Sequence, residues 1–244
     1  MNSTSGYRLT IIIPVFNEEG NIYTLEKRLA AFLPECRERA CVLFVDDGST
    51  DNSAARIREV CGRNPDFFHI GFVRNAGLSA ALKAGIDLAE SEYLGYMDAD
   101  LQTAPEDFNL LLEHIGDHSM ATGIRTERKD TPFKRFQSRF ANGFRRVFTH
   151  DGATDTGCPL KVLRTSAARR LPLFKGMHRF LPALILLQDG GSYVQVPVRH
   201  FPRNAGKSKF RLWNRLLGPL ADCFAFMWMK KRYINYIVGE SDLT

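Results

Sequence analysis

Apolar and polar positions in the first hundred residues alternate between two kinds of segment. "RLTIIIPVF" is a short, β-branched run that predicts a buried strand. In "NEEGNIYTLEKRLAAFL" the apolar residues Ile22, Leu25, Leu29 and Phe32 recur at helical spacing. "CVLFV" predicts a second strand, which ends in the turn "DDGSTDNS". "AARIREVCG" predicts a helix that stops at Gly62, and "FFHIGFV" a third strand. "GLSAALKAGIDLAE" predicts an Ala-rich amphipathic helix, and "YLGYM" a fourth strand. Strands alternating with helices imply an α/β fold with a mostly parallel central sheet and helices on both faces. Such sheets bind ligands beyond the carboxyl ends of their strands. Three polar clusters, "NEE", "DDGSTD" and "DAD", stand at three of those ends.

The second half is less periodic. "TERKDTPFKRFQSRFANGFRRVF" is basic and aromatic, and "GATDTGCPLKVLR" is rich in turn residues. "SYVQVPVRHF" alternates like a strand, and Pro197 assigns it to a sheet edge. "PRNAGKSKF" is a basic loop. "LWNRLLGPLADCFAFMWMKKRYINYIV" is apolar and aromatic, ringed by Arg211, Arg215, Lys230, Lys231 and Arg232.

Composition narrows the partners. The 244 residues are 44% hydrophobic and 25% charged, which suits one large domain or one domain with a tail. A net charge of +6 favours anionic partners: phosphates, nucleic acid or an acidic membrane face. Five cysteines, an odd number without C-x-x-C spacing, fit a reduced cytosolic chain. The amino-terminal segment lacks the basic region of a signal peptide. No stretch approaches the ~20 uninterrupted apolar residues of a spanning helix.

Each acidic cluster admits two readings. "VDDGSTD" is a strand end with an Asp-Gly turn and a helix cap, or it holds acceptors for a base or ribose. "PVFNEEG" places Asn17 as a helix cap with acids in the first turn, which leaves Phe16 and Glu18 available to a nucleotide. "DADLQ" is a solvated acidic turn, or it holds Mg²⁺ or Mn²⁺ through oxygen ligands. An EF-hand loop is excluded because Thr103 occupies the position that needs glycine. Neither G-x-G-x-x-G nor a P-loop is present.

In order and spacing, "TIIIPVFNEEGNI", "VLFVDDGSTDNS", "RNAGLSAALKAGI" and "MDADLQTAPEDF" resemble the inverting family-2 glycosyltransferases of GT-A fold. "DTGCPLKVLR", "HRFLPALI" and "VQVPVRHFPRNAGKSKF" extend the likeness to the polyprenyl-phosphate sugar transferases, the branch that includes dolichol-phosphate mannosyltransferase and undecaprenyl-phosphate aminoarabinose transferase. The resemblance implies a nucleotide pocket lined by Pro14, Phe16 and Glu18, with Val45 and Asp47 at the base and ribose. It places Asp98 and Ala99 at the nucleoside and diphosphate, and Asp100 and Gln102 on the metal. It puts Arg125 and Arg135 near the diphosphate and sugar, Arg203 and Lys209 on phosphate oxygens, and Asp155 near the acceptor. The family usually writes its "GKSK" loop with Glu where this chain has Lys207. The alternative for each of these later cations is an ordinary solvated surface charge.

The implied reaction takes a sugar from a UDP- or GDP-sugar to a polyprenyl phosphate with inversion, using Mg²⁺ or Mn²⁺. Residues 1–210 form the catalytic GT-A domain. Residues 211–244 form an amphipathic helical tail lying on the cytoplasmic face of a membrane, or else a core or oligomer contact. A homo-oligomer stays open. One rival is the same fold acting on a soluble or glycan hydroxyl. Another is a nucleotide-sugar-binding protein without turnover. A nucleic-acid partner is set aside because the basic residues interleave with core-like aromatics and no recognition motif appears.

Overall fold

The computed structural model describes residues 3–126, 148–202 and 217–236. Seven strands form one sheet in the order β3-β2-β1-β4-β6-β5-β7. Strands β1 (Leu9–Val15), β2 (Ala40–Asp46), β3 (Phe67–Gly71) and β4 (Tyr93–Tyr96) pair in parallel around β1. β6 (Lys161–Arg164) runs antiparallel between β4 and β5 (Met120–Arg125). β7 (Tyr193–Val198) closes the edge parallel to β5, with Pro197 opposite Ile124, so the edge position expected from Pro197 is the one observed.

Burial on both faces explains why β1 is a continuous apolar run rather than an alternating one. Ile11 and Ile13 join Leu25 and Leu29 of α1 (Ile22–Phe32) and Ile57 of α2 (Ser53–Arg63) in one core. Ile12 faces the other way, onto Ala81, Leu82 and Ile86 of α3 (Leu78–Leu88). Two local expectations fail. The second helix continues through Gly62, because the Asn64 side-chain amide donates to the Val60 carbonyl (2.7 Å) and its neighbour Arg63 pairs with Glu26. Asn17 is not the cap of α1. That position belongs to Asn21, while Asn17 adopts φ 53° and its side-chain oxygen accepts the Thr50 N–H at 2.7 Å. Short helices α4 (Phe108–Leu112), α5 (Thr165–Arg169) and α6 (Leu181–Ile185) complete the layers.

Helix α7 (Leu217–Lys230) is two-faced. Cys223, Phe226 and Met229 enter the core shared with α3, and Phe226 stacks on Phe180 at 5.7 Å. Phe224 and Trp228 point outward, 60% and 62% exposed, and Arg232 lies 5.0 Å from the Trp228 ring centre. Among the described residues no helix is long and apolar enough to cross a membrane.

Beside α7, His178 Nδ1 and Ser79 Oγ form a 2.8 Å hydrogen bond, and the Gly176 N–H donates to the same Oγ. Burial, with Arg179 and Lys161 nearby, pushes the His178 imidazole from 6.5 down to about 3. Below pH 6.5 the unfolded chain therefore takes a proton that the folded chain refuses, and stability falls as pH drops toward 3. The expected loss at pH 4 is about 3 kcal/mol. H178Q should flatten thermal-melting midpoints between pH 6.5 and 4 relative to wild type.

Candidate active site

The first wall of the site is the carboxyl end of β2. The Asp47 carboxylate accepts the Asn75 side-chain amide at 2.8 Å, the Ala76 N–H at 2.7 Å and the Gly77 N–H at 2.9 Å. It thereby ties the strand end to the start of α3. Asp46 accepts the Ser49 N–H at 3.2 Å. Between them and the loop, Gly48 has φ 67°, and a Cβ there would lie 2.5 Å from the Arg74 carbonyl carbon. Gly48→Ala should therefore push residues 74–75 outward and loosen the Asp47 network. Expected are a stability loss of about 3 kcal/mol in denaturant unfolding and weaker nucleotide binding by titration.

Past this turn opens a cleft of about 590 Å³, lined by Phe16, Asp46, Gly48, Arg58, Arg74 and Asn75 among others. Pro14 stands on β1 opposite Val45. Val45 itself is fully buried in the core. The Glu18 carboxylate accepts the Asn21 side-chain amide at 2.7 Å, and the Glu18 N–H donates to Ser53 Oγ at 2.8 Å.

The second wall is the carboxyl end of β4. Tyr96 donates its hydroxyl to Asp98 Oδ1 at 2.7 Å. Desolvation, reinforced by the Asp100 charge, pushes the Asp98 carboxyl up from 3.8 to about 6. Ala99 is buried. The buried Asp100 accepts the Gln102 N–H at 3.2 Å. Between them Leu101 sits at φ 61°, a left-handed conformation that is strained for a leucine. The loop is braced from β7: the Phe201 N–H donates to the Gln102 carbonyl at 2.9 Å, and Arg199 donates its backbone N–H and Nε to Asp107 at 2.7 and 2.8 Å. Gln102 Nε2 donates to the Phe201 carbonyl at 3.3 Å, and among the described residues its Oε1 accepts no hydrogen bond.

This donor set fits a hard divalent cation. Two neighbouring carboxylates repel each other, and the amide of Gln102 follows Asp100 by two residues, all oxygen ligands. Among the described residues no trio of His, Cys, Asp and Glu is arranged to hold a metal unaided. Mg²⁺ usually binds through one or two carboxylates and takes its other oxygens from substrate phosphates and water.

The third wall is polar and buried. Arg125, at the end of β5, donates Nε and Nη2 to the two Asp155 oxygens, both at 2.7 Å. Lys161, at the start of β6, is 1% exposed and donates to the Cys158 carbonyl. Arg135, Arg203 and Lys209 lie outside the described residues.

A family model described as "Glycosyl transferase family 2" matches residues 10–172, spanning all three walls. The chain belongs to glycosyl transferase family 2. It is 33% identical over 231 residues to the dodecaprenyl-phosphate galacturonate synthase of Rhizobium johnstonii, covering 92% of this chain and 68% of that protein. It is 31% identical over 206 residues to the undecaprenyl-phosphate 4-deoxy-4-formamido-L-arabinose transferase of Edwardsiella ictaluri, covering 84% and 63%. The chain thus spans about two thirds of the length of these relatives. A mannosyltransferase of Pyrobaculum calidifontis in complex with GDP-Man and Mn²⁺ shares the fold at TM-score 0.64 and 18% identity, over 92% of this chain and 65% of that one. So does glucosyl-3-phosphoglycerate synthase of Mycobacterium tuberculosis with Mn²⁺ and UDP, at TM-score 0.65 and 13% identity, over 93% and 81%. The fold is therefore GT-A, and the protein is a glycosyltransferase.

The structure brings Phe16, Asp98, Ala99, Asp100, Gln102, Arg125 and Asp155 to the carboxyl edge of one sheet. Sequence reasoning left out Asp46, Arg58, Arg74 and Asn75, which line the cleft of this family-2 enzyme, and Lys161. The Asp46-Asp47 doublet carried a signal for the first, since adjacent residues of a strand point to opposite sides. Lys161 gave none, because a lysine ordinarily reads as surface.

Proposed function

We propose that this glycosyltransferase moves a sugar from a nucleotide-diphospho-sugar to a polyprenyl phosphate with inversion at the anomeric carbon. The observation that carries this reading is the 33% identity to a dodecaprenyl-phosphate galacturonate synthase along 92% of the chain, which runs well past the family-2 core. In this reading the cleft beside Phe16 takes the base of a UDP- or GDP-sugar, with Pro14 and Glu18 next to it and the buried Val45 and Asp47 supporting it from behind. Asp98 and Ala99 meet the nucleoside and diphosphate. Asp100 and Gln102 Oε1 hold Mg²⁺ or Mn²⁺. When bound, the cation supplies positive charge to the departing diphosphate.

An acceptor phosphate oxygen forms the new bond to the anomeric carbon as the bond to the diphosphate oxygen breaks, and the nucleoside diphosphate leaves with the electron pair. A phosphate monoester has a second pKa near ~6, so much of it is dianionic at neutral pH and no strong protein base is required. That suits Asp155, whose two oxygens are engaged by Arg125. Its role is to aim that guanidinium at anionic substrate. Arg135, Arg203 and Lys209 add positive charge along the same path.

The membrane supplies the acceptor. Phe224 and Trp228 on the outer side of α7, followed by Lys230, Lys231 and Arg232, suit an anionic cytoplasmic leaflet. The tail from residue 211 is then a peripheral anchor.

The reading separates from its rivals by acceptor chemistry. With purified protein, Mn²⁺ and a panel of UDP- and GDP-sugars, polyprenyl phosphate should be glycosylated while polyprenol of the same length is not. Equal use of the alcohol would favour a hydroxyl-directed enzyme. Donor binding without transfer to any acceptor would favour a binding protein.

A further inference from the structure

Lys161 is a buried charge without a structural reason. Its side chain is almost wholly inaccessible, and among the described residues it donates to one partner, the Cys158 carbonyl. Among the described residues no carboxylate oxygen comes within 4.0 Å of its nitrogen. Lysines are almost never fully buried unless paired, because removing the ammonium from water costs several kcal/mol. Its partner on β5, Thr122, leaves its hydroxyl buried with no hydrogen-bond partner among the described residues. The polar groups at this level of the sheet were not assembled to satisfy one another.

What the ammonium faces is the site. Lys161 stands opposite Tyr96 in the β4–β6 ladder, and its nitrogen lies 5.8 Å from the Tyr96 ring centre. The Tyr96 hydroxyl in turn holds Asp98. Burial lowers the pKa of the ammonium, and the charges of Cys158 and of Asp155 and Asp98, the acids of the third and second walls, act to hold its proton.

We propose that Lys161 is a positioning residue for the donor site: a fixed positive charge behind the acids that also clamps the Tyr96 ring orienting Asp98. The inference rests on the proposed donor site but requires no particular acceptor. It makes two demands of any replacement, a positive charge and reach to the Tyr96 ring. Methionine keeps most of the reach but carries no charge, and arginine meets both.

The test compares wild type, K161M and K161R as full chains. UDP and GDP are titrated in the presence of Mn²⁺ by calorimetry, transfer kinetics are measured, and thermal unfolding is followed. K161M should raise the nucleoside diphosphate Kd about 10-fold and lower kcat/KM about 100-fold. Its melting midpoint should be no lower than wild type, because an uncompensated buried charge has been removed. K161R should keep the Kd within about twofold and kcat/KM within about 10-fold of wild type. Nucleotide binding and turnover by K161M within twofold of wild type would overturn the proposal. So would loss of binding in a folded K161R. If K161M does not fold, K161R alone decides by the same measure. If wild type binds nucleotide yet transfers nothing to polyprenyl phosphate, the acceptor reading fails while the binding arm still judges Lys161.

Discussion

Asp100→Ala should lower sugar transfer at least about a thousandfold while leaving the metal-free fold intact. Asp100 is buried, close to the charge of Asp98 and just before a strained Leu101, an arrangement that favours neither solubility nor packing. Removing it relieves the repulsion with Asp98 and forfeits the backbone hydrogen bond from Gln102. Its melting midpoint in EDTA should stay within about 2 °C of wild type. Adding Mn²⁺ and nucleoside diphosphate should raise the wild-type midpoint through ligand linkage and leave that of the variant unmoved. Full activity of wild type in EDTA would remove the metal from the account.

Arg125→Ala should do the opposite, harming the fold as well as the reaction. The guanidinium is 15% exposed and the Asp155 side chain 7%, and they meet through two parallel bonds with the Arg125 backbone N–H as a third at 3.2 Å. Deleting one member of a buried pair leaves the other desolvated without its partner, a loss of about 3–5 kcal/mol. For a domain of this size that is about 6–20 °C of melting midpoint. The double variant R125A/D155A should be less destabilised than the sum of the single changes, because it removes the stranded charge as well. A purely additive cycle would show that the pair does not act as a unit.

How much of this was legible in sequence depends on what each element buries. The strands β1, β2 and β4 announce themselves because apolar residues must cover two faces, and the acids that follow them stand out against that background. Strands β5 and β6 are short. "MATGIR" carries a glycine and "KVLR" is charged at both ends, so neither shows an apolar period, although β6 lies inside the sheet. Asn17 and Gly62 were misplaced for a related reason. Capping and breaking tendencies are local, and here a hydrogen bond from Thr50 and the side chain of Asn64 override them. Within the site, the aspartates of "DADLQ" were legible because paired acids at a strand end are rare. The pairing of Arg125 with Asp155, thirty residues apart, and the burial of Lys161 were not, since both arise only when β5 and β6 come together.

The central claim is that a lipid phosphate receives the sugar. The most direct measurement is mass spectrometry of the lipid product from purified protein, Mn²⁺, polyprenyl phosphate and a panel of UDP- and GDP-sugars, with the anomeric configuration read by NMR. The account predicts a glycosyl phosphopolyprenol, one sugar heavier than its acceptor, with the anomeric configuration opposite to that of the donor. A product with retained configuration, or a sugar on a hydroxyl with the lipid phosphate unchanged, would contradict it.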